Sequence, residues 1–349
     1  MHTPTIPVID FSRLRSPEHP GYEDELHALL QAAHEVGFFY LAHHGIDPRA
    51  REGLLAEAKS FFAQPAAQKR RISQVHSPHY RGYTATGTER TQGLRDWREQ
   101  LDIGPELPAE LEKVPEQPWK ILQGPNQWPA DQPELKDRAL AWFAQLEGIG
   151  AGLLRAWAVA FGEGEDFFAE AFRAPHSLLK IVHYPAHDLS ATRQGVGAHH
   201  DAGFITLLTV EEGSRGLQVL VDGRWVNVPA IEDYLIVNIG ELLSVATGGY
   251  LKATPHRVLP SAPGTDRFSI PFFYSPALDA EVPRISLPPE LTDSPTEVGV
   301  DLDGEQIYST NGLNALKSRL RAHPDVTQKY HQHIADNFAD IVDKHKKAA

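Results

Sequence analysis

Cysteine is absent from the 349 residues, and methionine occurs once. Without thiols there can be no disulfide, thiolate nucleophile, zinc–cysteine site or iron–sulfur cluster. Any metal must therefore be held by nitrogen and oxygen ligands. Long apolar runs are also missing. No stretch approaches the ~18 consecutive apolar residues that a membrane span needs. The opening "MHTPTIPVIDFSRL" has no basic start followed by an apolar core, so it does not read as a signal peptide. Positive charge is in deficit, with 33 Lys and Arg against 46 Asp and Glu and a formal net charge of -13. The densest basic run, "KRR" at 69–71, is too short to change that balance and reads as a solvated helix end. Nucleic acid and anionic membranes are poor partners for such a chain. The expectation is a cytoplasmic enzyme or binding protein.

What is present is an ordinary globular composition, 41% hydrophobic and 23% charged. "IPVIDF" (6–11) reads as a strand, 23–36 as a helix, and "GFFYLAHHGI" (37–46) as a buried strand followed by a turn. The stretch 80–104 is rich in Gly, Thr and charge, which suits a long functional loop or irregular hairpin better than a core element. From 133 to 162 apolar residues recur every three or four positions, including Leu135, Trp142, Leu146, Leu153 and Trp157, which predicts a long amphipathic helix. After Leu178 come short strand-like runs separated by turn residues, the texture of an all-β sandwich or barrel. A final helix near 327–345 carries Tyr330, Ile334, Phe338 and Ile341 on one stripe. The fold expected is mainly β with helical support.

The chemistry concentrates in "GVGAHHDAGFITLL" (195–208). Side chains alternate along a strand, so His199 and Asp201 share a face while His200 points away. A bulge at Gly203 would disturb that alternation. His256, in "TPHRVLP", begins another strand-like run and supplies a third ligand if the chain folds back on itself. Two histidines and a carboxylate form a facial triad with open positions, a set suited to non-haem Fe(II). Eleven residues past His256 stand Arg267 and Ser269, again at i and i+2. A guanidinium beside a hydroxyl makes a carboxylate clamp.

With these motifs in order, the chain resembles the Fe(II)/2-oxoglutarate-dependent dioxygenases of the isopenicillin N synthase-like family. "GFFYLAHHGI" is similar to the family's N-terminal signature. "GLQVLVDGRWVNVP", "VNIGELLSVATGGYLKATPHRV" and "RFSIPFFYSP" follow in its order. The resemblance implies a double-stranded β-helix, or jelly roll, with an N-terminal α/β region over 1–120, a catalytic core over 175–280, a C-terminal helix, and one oxygenase domain over 1–349. It implies His199, Asp201 and His256 as iron ligands and as the catalytic centre. Arg267 and Ser269 would bind the distal carboxylate of 2-oxoglutarate, with Tyr184 contributing to that pocket. Many plant members have asparagine two residues before this tyrosine, where this chain has Val182. "GYTATGTERTQGLRDWRE" (82–99) resembles a bacterial branch that includes the ethylene-forming enzyme and would place Glu89 near the substrate. The implied activity is oxidation, foremost hydroxylation, of a small molecule, with dioxygen and 2-oxoglutarate as cosubstrates and succinate and carbon dioxide released. Isopenicillin N synthase and aminocyclopropane-carboxylate oxidase share the triad and the Arg-x-Ser pair without using 2-oxoglutarate. Isopenicillin N synthase has a glutamine before a C-terminal Asn-Gly-Leu; here Thr310 precedes Asn311-Gly312-Leu313, which favours the 2-oxoglutarate users. A non-catalytic ligand-binding jelly roll is the alternative of another class.

Overall fold

A computed structural model describes residues 6–91, 93–186, 194–288, 291, 299–300 and 304–346. The chain opens with strand β1 (Val8–Asp10), helix α1 (Tyr22–Glu35), strand β2 (Phe38–Ala42), helix α2 (Pro48–Phe62) and a single turn, α3 (Ala66–Lys69). Strands β3 (Gly82–Thr84), β4 (Arg90–Thr91), β5 (Leu94–Arg95) and β6 (Glu99–Ile103) follow, then the long helix α4 (Pro133–Ala160). Two sheets are then woven from β7 (Leu178–Tyr184), β8 (Val196–His199), β9 (Ile205–Val210), β10 (Leu217–Val221), β11 (Arg224–Asn227), β12 (Leu235–Ile239), β13 (His256–Val258) and β14 (Arg267–Tyr274). A short helix, α5 (Glu241–Ala246), leaves β12. The C-terminal part contains α6 (Asn311–Ala322), α7 (Pro324–Val326), α8 (Gln332–Asp336) and α9 (Phe338–Lys346).

The large sheet runs β1-β2-β12-β9-β14-β7-β6-β3 and the small one β11-β10-β13-β8. From β7 onward the chain passes back and forth between them, the winding of a jelly roll. β2 shows why both faces of the large sheet are filled. Phe39 and Leu41 join the core under α1, α2 and α4, while Phe38 and Tyr40 join the core between the sheets. α4 buries Leu135, Trp142, Leu146, Leu153 and Trp157, the periodic face read from the sequence. Helices thus cover one face of the large sheet. The other face, with the small sheet, forms the mouth where the candidate site lies.

Two expectations need correction. The 80–104 stretch is an irregular hairpin, but its second arm is a core strand, not a peripheral loop. All five residues of β6 are buried, and β6 pairs with both β3 and β7. Its polar residues disguised it, because each finds a buried partner. Glu99 accepts from Lys69 at 2.7 Å, and Asp102 accepts from Arg319 at 2.8 Å. The final helix is not continuous either. A π-helical turn occupies Thr327–His331, and α8 and α9 part at Asn337. Thr327 meets the Tyr80 hydroxyl at 3.0 Å and His331 meets the Pro78 carbonyl at 2.6 Å, side-chain bonds that compete with regular winding. Ile334 is nonetheless buried, with Tyr330, Phe338 and Ile341 packed around it, as the stripe predicts. Helix α6 was not anticipated.

Candidate metal centre and its anion pocket

His199 ends β8 and His256 begins β13, and the two are direct cross-strand partners. Their rings lie 4.3 Å apart. Asp201 sits just beyond β8 and not on it, because the chain bends at 202–204. This turn is pinned to the start of α5: Glu241 donates its backbone N–H to the Asp201 carbonyl at 2.8 Å, and Leu242 donates to Gly203 at 3.1 Å. Gly240 makes the close approach possible, since a Cβ there would stand 2.1 Å from the Gly203 carbonyl oxygen. His199 and Asp201 therefore converge as expected, through a turn rather than strand alternation alone. His200 diverges and meets Glu241 at 3.2 Å.

The three side chains are preset as ligands. Asp201 Oδ2 accepts from Thr206 Oγ1 at 2.5 Å and from Asn238 Nδ2 at 2.7 Å. Oδ1 is left facing His199 Nε2 and His256 Nε2, each 3.7 Å away. The far nitrogen of each ring is engaged by a backbone carbonyl, His199 Nδ1 with Gly197 at 2.8 Å and His256 Nδ1 with Thr254 at 3.1 Å. Such bonds place the proton on Nδ1 and turn the Nε2 lone pair inward. Burial and the adjacent His256 push His199 down to about 3. Burial alone would raise Asp201, but His256, His199 and the bonds from Thr206 and Asn238 more than offset it and hold the carboxyl below its usual range. The shifts at His199 and Asp201 favour a neutral imidazole and an ionised carboxylate, the states a metal ligand takes. All three candidate ligand atoms lie within 4.8 Å of one another, so one ion fits between them.

Arg267 and Ser269 lie on β14 of the large sheet, whereas the two histidines belong to the small one. Arg267 stands opposite Tyr184, and Ser269 opposite Val182. The guanidinium is 4.6 Å from the Tyr184 ring centroid and 3.3 Å from Ser269 Oγ. It is 5% exposed, its Nε has no partner, and no carboxylate among the described residues is within ion-pair distance. Burial and the nearby Arg98 depress its pKa, with Tyr184 acting the other way. A buried cation without an anion is costly unless a ligand supplies one. A dicarboxylate fits that gap. Val182, at the position of the plant asparagine, is fully buried among apolar neighbours and offers no polar contact.

A cavity of about 450 Å³ opens over His199 and Asp201. Glu89 lines it, but not as a free carboxylate. Its two oxygens accept from Lys180 at 3.0 Å and Arg98 at 2.9 Å. These cations hold Glu89 well below the usual carboxylate range despite burial. Arg98, Lys180 and Arg319 also line the cavity. They were not singled out from the sequence, nor were Thr206 and Asn238. Asn238 stands in the "VNIG" motif; Lys180 lies four residues before Tyr184 and shares its strand face, a signal that could have been read.

Fold and site together define a jelly-roll protein built to hold a metal ion through two histidines and an aspartate. Comparison with known proteins gives the family. Residues 175–276 match the 2OG-Fe(II) oxygenase superfamily, and 6–131 match the family described as non-haem dioxygenase in morphine synthesis N-terminal. The 2-oxoglutarate-dependent dioxygenase frbJ of Dothideomycetidae sp. (strain 11243) is 33% identical, over 94% of this chain and 92% of its own. Homoarginine-6-hydroxylase 2-ODD-C23.2 of Arabidopsis thaliana is 30% identical, over 81% and 80%. Among solved structures, a full-length Neurospora crassa protein in complex with alpha-KG and thymine superposes with a TM-score of 0.73 at 26% identity, covering 90% of this chain and 97% of that one. The chain belongs to the 2OG-Fe(II) oxygenase superfamily. It is an Fe(II)/2-oxoglutarate-dependent dioxygenase, with Fe(II) as its metal and 2-oxoglutarate as cosubstrate. No helix among the described residues is long and apolar enough to cross a membrane.

Proposed function

We propose that His199, Asp201 and His256 hold the iron, and that Arg267, Ser269 and Tyr184 anchor the far carboxylate of 2-oxoglutarate, in an enzyme that hydroxylates a small molecule. The observation that carries this reading is a preset ligand triad together with a buried guanidinium that has no carboxylate within ion-pair distance among the described residues. The chemistry supplied by Fe(II) with 2-oxoglutarate is the activation of dioxygen, with release of succinate and carbon dioxide. The chain's own contribution is orientation. Thr206 and Asn238 fix which Asp201 oxygen faces the ion, and the Gly197 and Thr254 carbonyls fix both imidazoles. Arg267 and Ser269 hold the cosubstrate at one end, which restricts how its other end meets the metal.

Glu89 is assigned to substrate positioning, acting through the cations it holds. The chain works as one oxygenase unit, with its α/β region over 1–120 and its catalytic core over 175–280, in the cytoplasm. Its finer kinship with the bacterial branch that includes the ethylene-forming enzyme rests on the 82–99 stretch; relatives named above are fungal and plant.

The test is iron-dependent conversion of 2-oxoglutarate to succinate. The wild type should require added Fe(II), and His199→Ala or Asp201→Ala should abolish both iron retention and conversion. Undiminished iron content and turnover in these variants would sink the assignment.

A further inference from the structure

The wall of the cavity that His199 and Asp201 line also carries more hydrogen-bond donors than the described residues use. Lys180 spends one bond, on Glu89 Oε1. Arg98 uses Nη2 for Glu89 and Asp96, and its buried Nε has no partner. Among the described residues Arg319 uses Nη1 alone, for Asp102 at 2.8 Å and His323 at 3.1 Å. The acids of this wall are already engaged. Both oxygens of Glu89 are taken, and Asp102 accepts from Gln100 on one oxygen and from Gln74 and Arg319 on the other. Unused donors beside filled acceptors call for a ligand that brings acceptors.

Charge points the same way. Arg98, Lys180 and Arg319 are largely buried cations on the cavity wall beside the buried carboxylates Glu89, Asp96 and Asp102, and the buried Arg81 stands near Asp102 and Glu106 as well as Arg319. Arg81 has no carboxylate within ion-pair distance among the described residues and is close enough to Arg319 for the two charges to repel. At the rim stand Arg90, Lys317 and Arg321, the last two sharing Glu305. Among the described residues six Lys and Arg side chains and three acids line the cavity, on a chain of net charge -13. The cosubstrate does not account for these cations. The charges of Fe(II), Asp201, doubly ionised 2-oxoglutarate and Arg267 cancel among themselves, so the cosubstrate does not draw on the cations of this wall.

We propose that the primary substrate is a small organic anion, a carboxylate or its like, whose acid group is bound by Lys180, Arg98 and Arg319 in the cavity that His199 and Asp201 also line. This rests on the oxygenase reading above. It makes these three residues specificity-determining, and it gives the rim cations the role of drawing anions in.

The test uses the Fe(II)- and 2-oxoglutarate-loaded protein without oxygen, and measures retention of benzoate, benzamide, hexanoate and hexanamide by equilibrium dialysis. At least one acid should bind, and its amide should bind at least tenfold more weakly. Lys180→Gln should weaken the acid at least tenfold. Arg319→Gln should do the same, and the paired variant Asp102→Asn/Arg319→Gln repeats that test without leaving Asp102 unpaired. Retention of 2-oxoglutarate in each variant reports the integrity of the cosubstrate site and tests the oxygenase reading separately. Equal binding of acids and amides, or retention of neither acid, would overturn the proposal. So would acid binding that competes with 2-oxoglutarate and responds only to Arg267→Gln.

Discussion

The two oxygens of Asp201 have different work. Oδ2 takes two hydrogen bonds, and Oδ1 is left facing the two imidazoles, the oxygen proposed to meet the ion. Loss of one outer bond costs typically 10–100-fold in metal affinity. Asn238→Ala should therefore lower iron affinity by about that factor in a chelator competition, with the fold intact by circular dichroism. A second residue-scale effect concerns pH. His323 is 1% exposed, and burial pushes it down to about 4. Its unfolded-state value is near 6.5, so the unfolded chain takes up the proton first. Stability is therefore full above about pH 6.5 and falls as pH drops toward 4, by about 3 kcal/mol at ~1.4 kcal/mol per unit. His323→Gln should flatten denaturant-measured stability across that window; an unchanged slope would contradict the assignment. At this scale the sequence was informative about residue types at short spacing. Arg-x-Ser is legible because i and i+2 share a strand face, and His-x-Asp by the same spacing although a turn after β8 delivers Asp201. Glu89 was legible as a cavity residue but not as a paired one, because Arg98 and Lys180 reach it from the approach to β6 and from β7.

At the scale of elements, strands β8 and β13 bring the two imidazoles together, and the turn before β9 delivers the carboxylate. The turn depends on Gly240, whose missing Cβ lets the start of α5 touch the backbone at Gly203. Gly240→Ala should cost about 1–3 kcal/mol in stability, as overpacking does, and should weaken iron binding as well. A variant that is destabilised yet binds iron normally would show that the turn does not position Asp201. The strands of the jelly roll were readable because they are short, β-branched and bounded by turn residues. β6 was not, since "EQLDI" hides a buried strand behind charged side chains whose partners lie on distant elements, Lys69 and Arg319. The breaks in the C-terminal helix were equally unreadable. They arise from Thr327 and His331 bonding to Tyr80 and Pro78, contacts about 250 positions away in the chain.

On the scale of the whole molecule, helices brace one face of the large sheet and the site opens on the other. Net charge is strongly negative, yet the cavity mouth carries cations, so the anionic cosubstrate enters against the general field and with the local one. Ligands that bind only the folded state stabilise it, by about 2.7 kcal/mol at a hundredfold excess over Kd. Fe(II) with 2-oxoglutarate should raise the melting temperature together, and a chelator should reverse the gain. Reducing agents should leave it unchanged, because there is no disulfide to reduce.

The central claim is that the triad and Arg267 form one composite site. The most direct measurement is an anaerobic calorimetric titration of 2-oxoglutarate into wild type and Arg267→Gln, each with and without Fe(II). Removing one partner of a buried charge pair costs about 2–5 kcal/mol, so the variant should bind at least about 30-fold more weakly. The wild type should bind tightly only with the metal present. Binding that ignores both the metal and Arg267 would contradict the account.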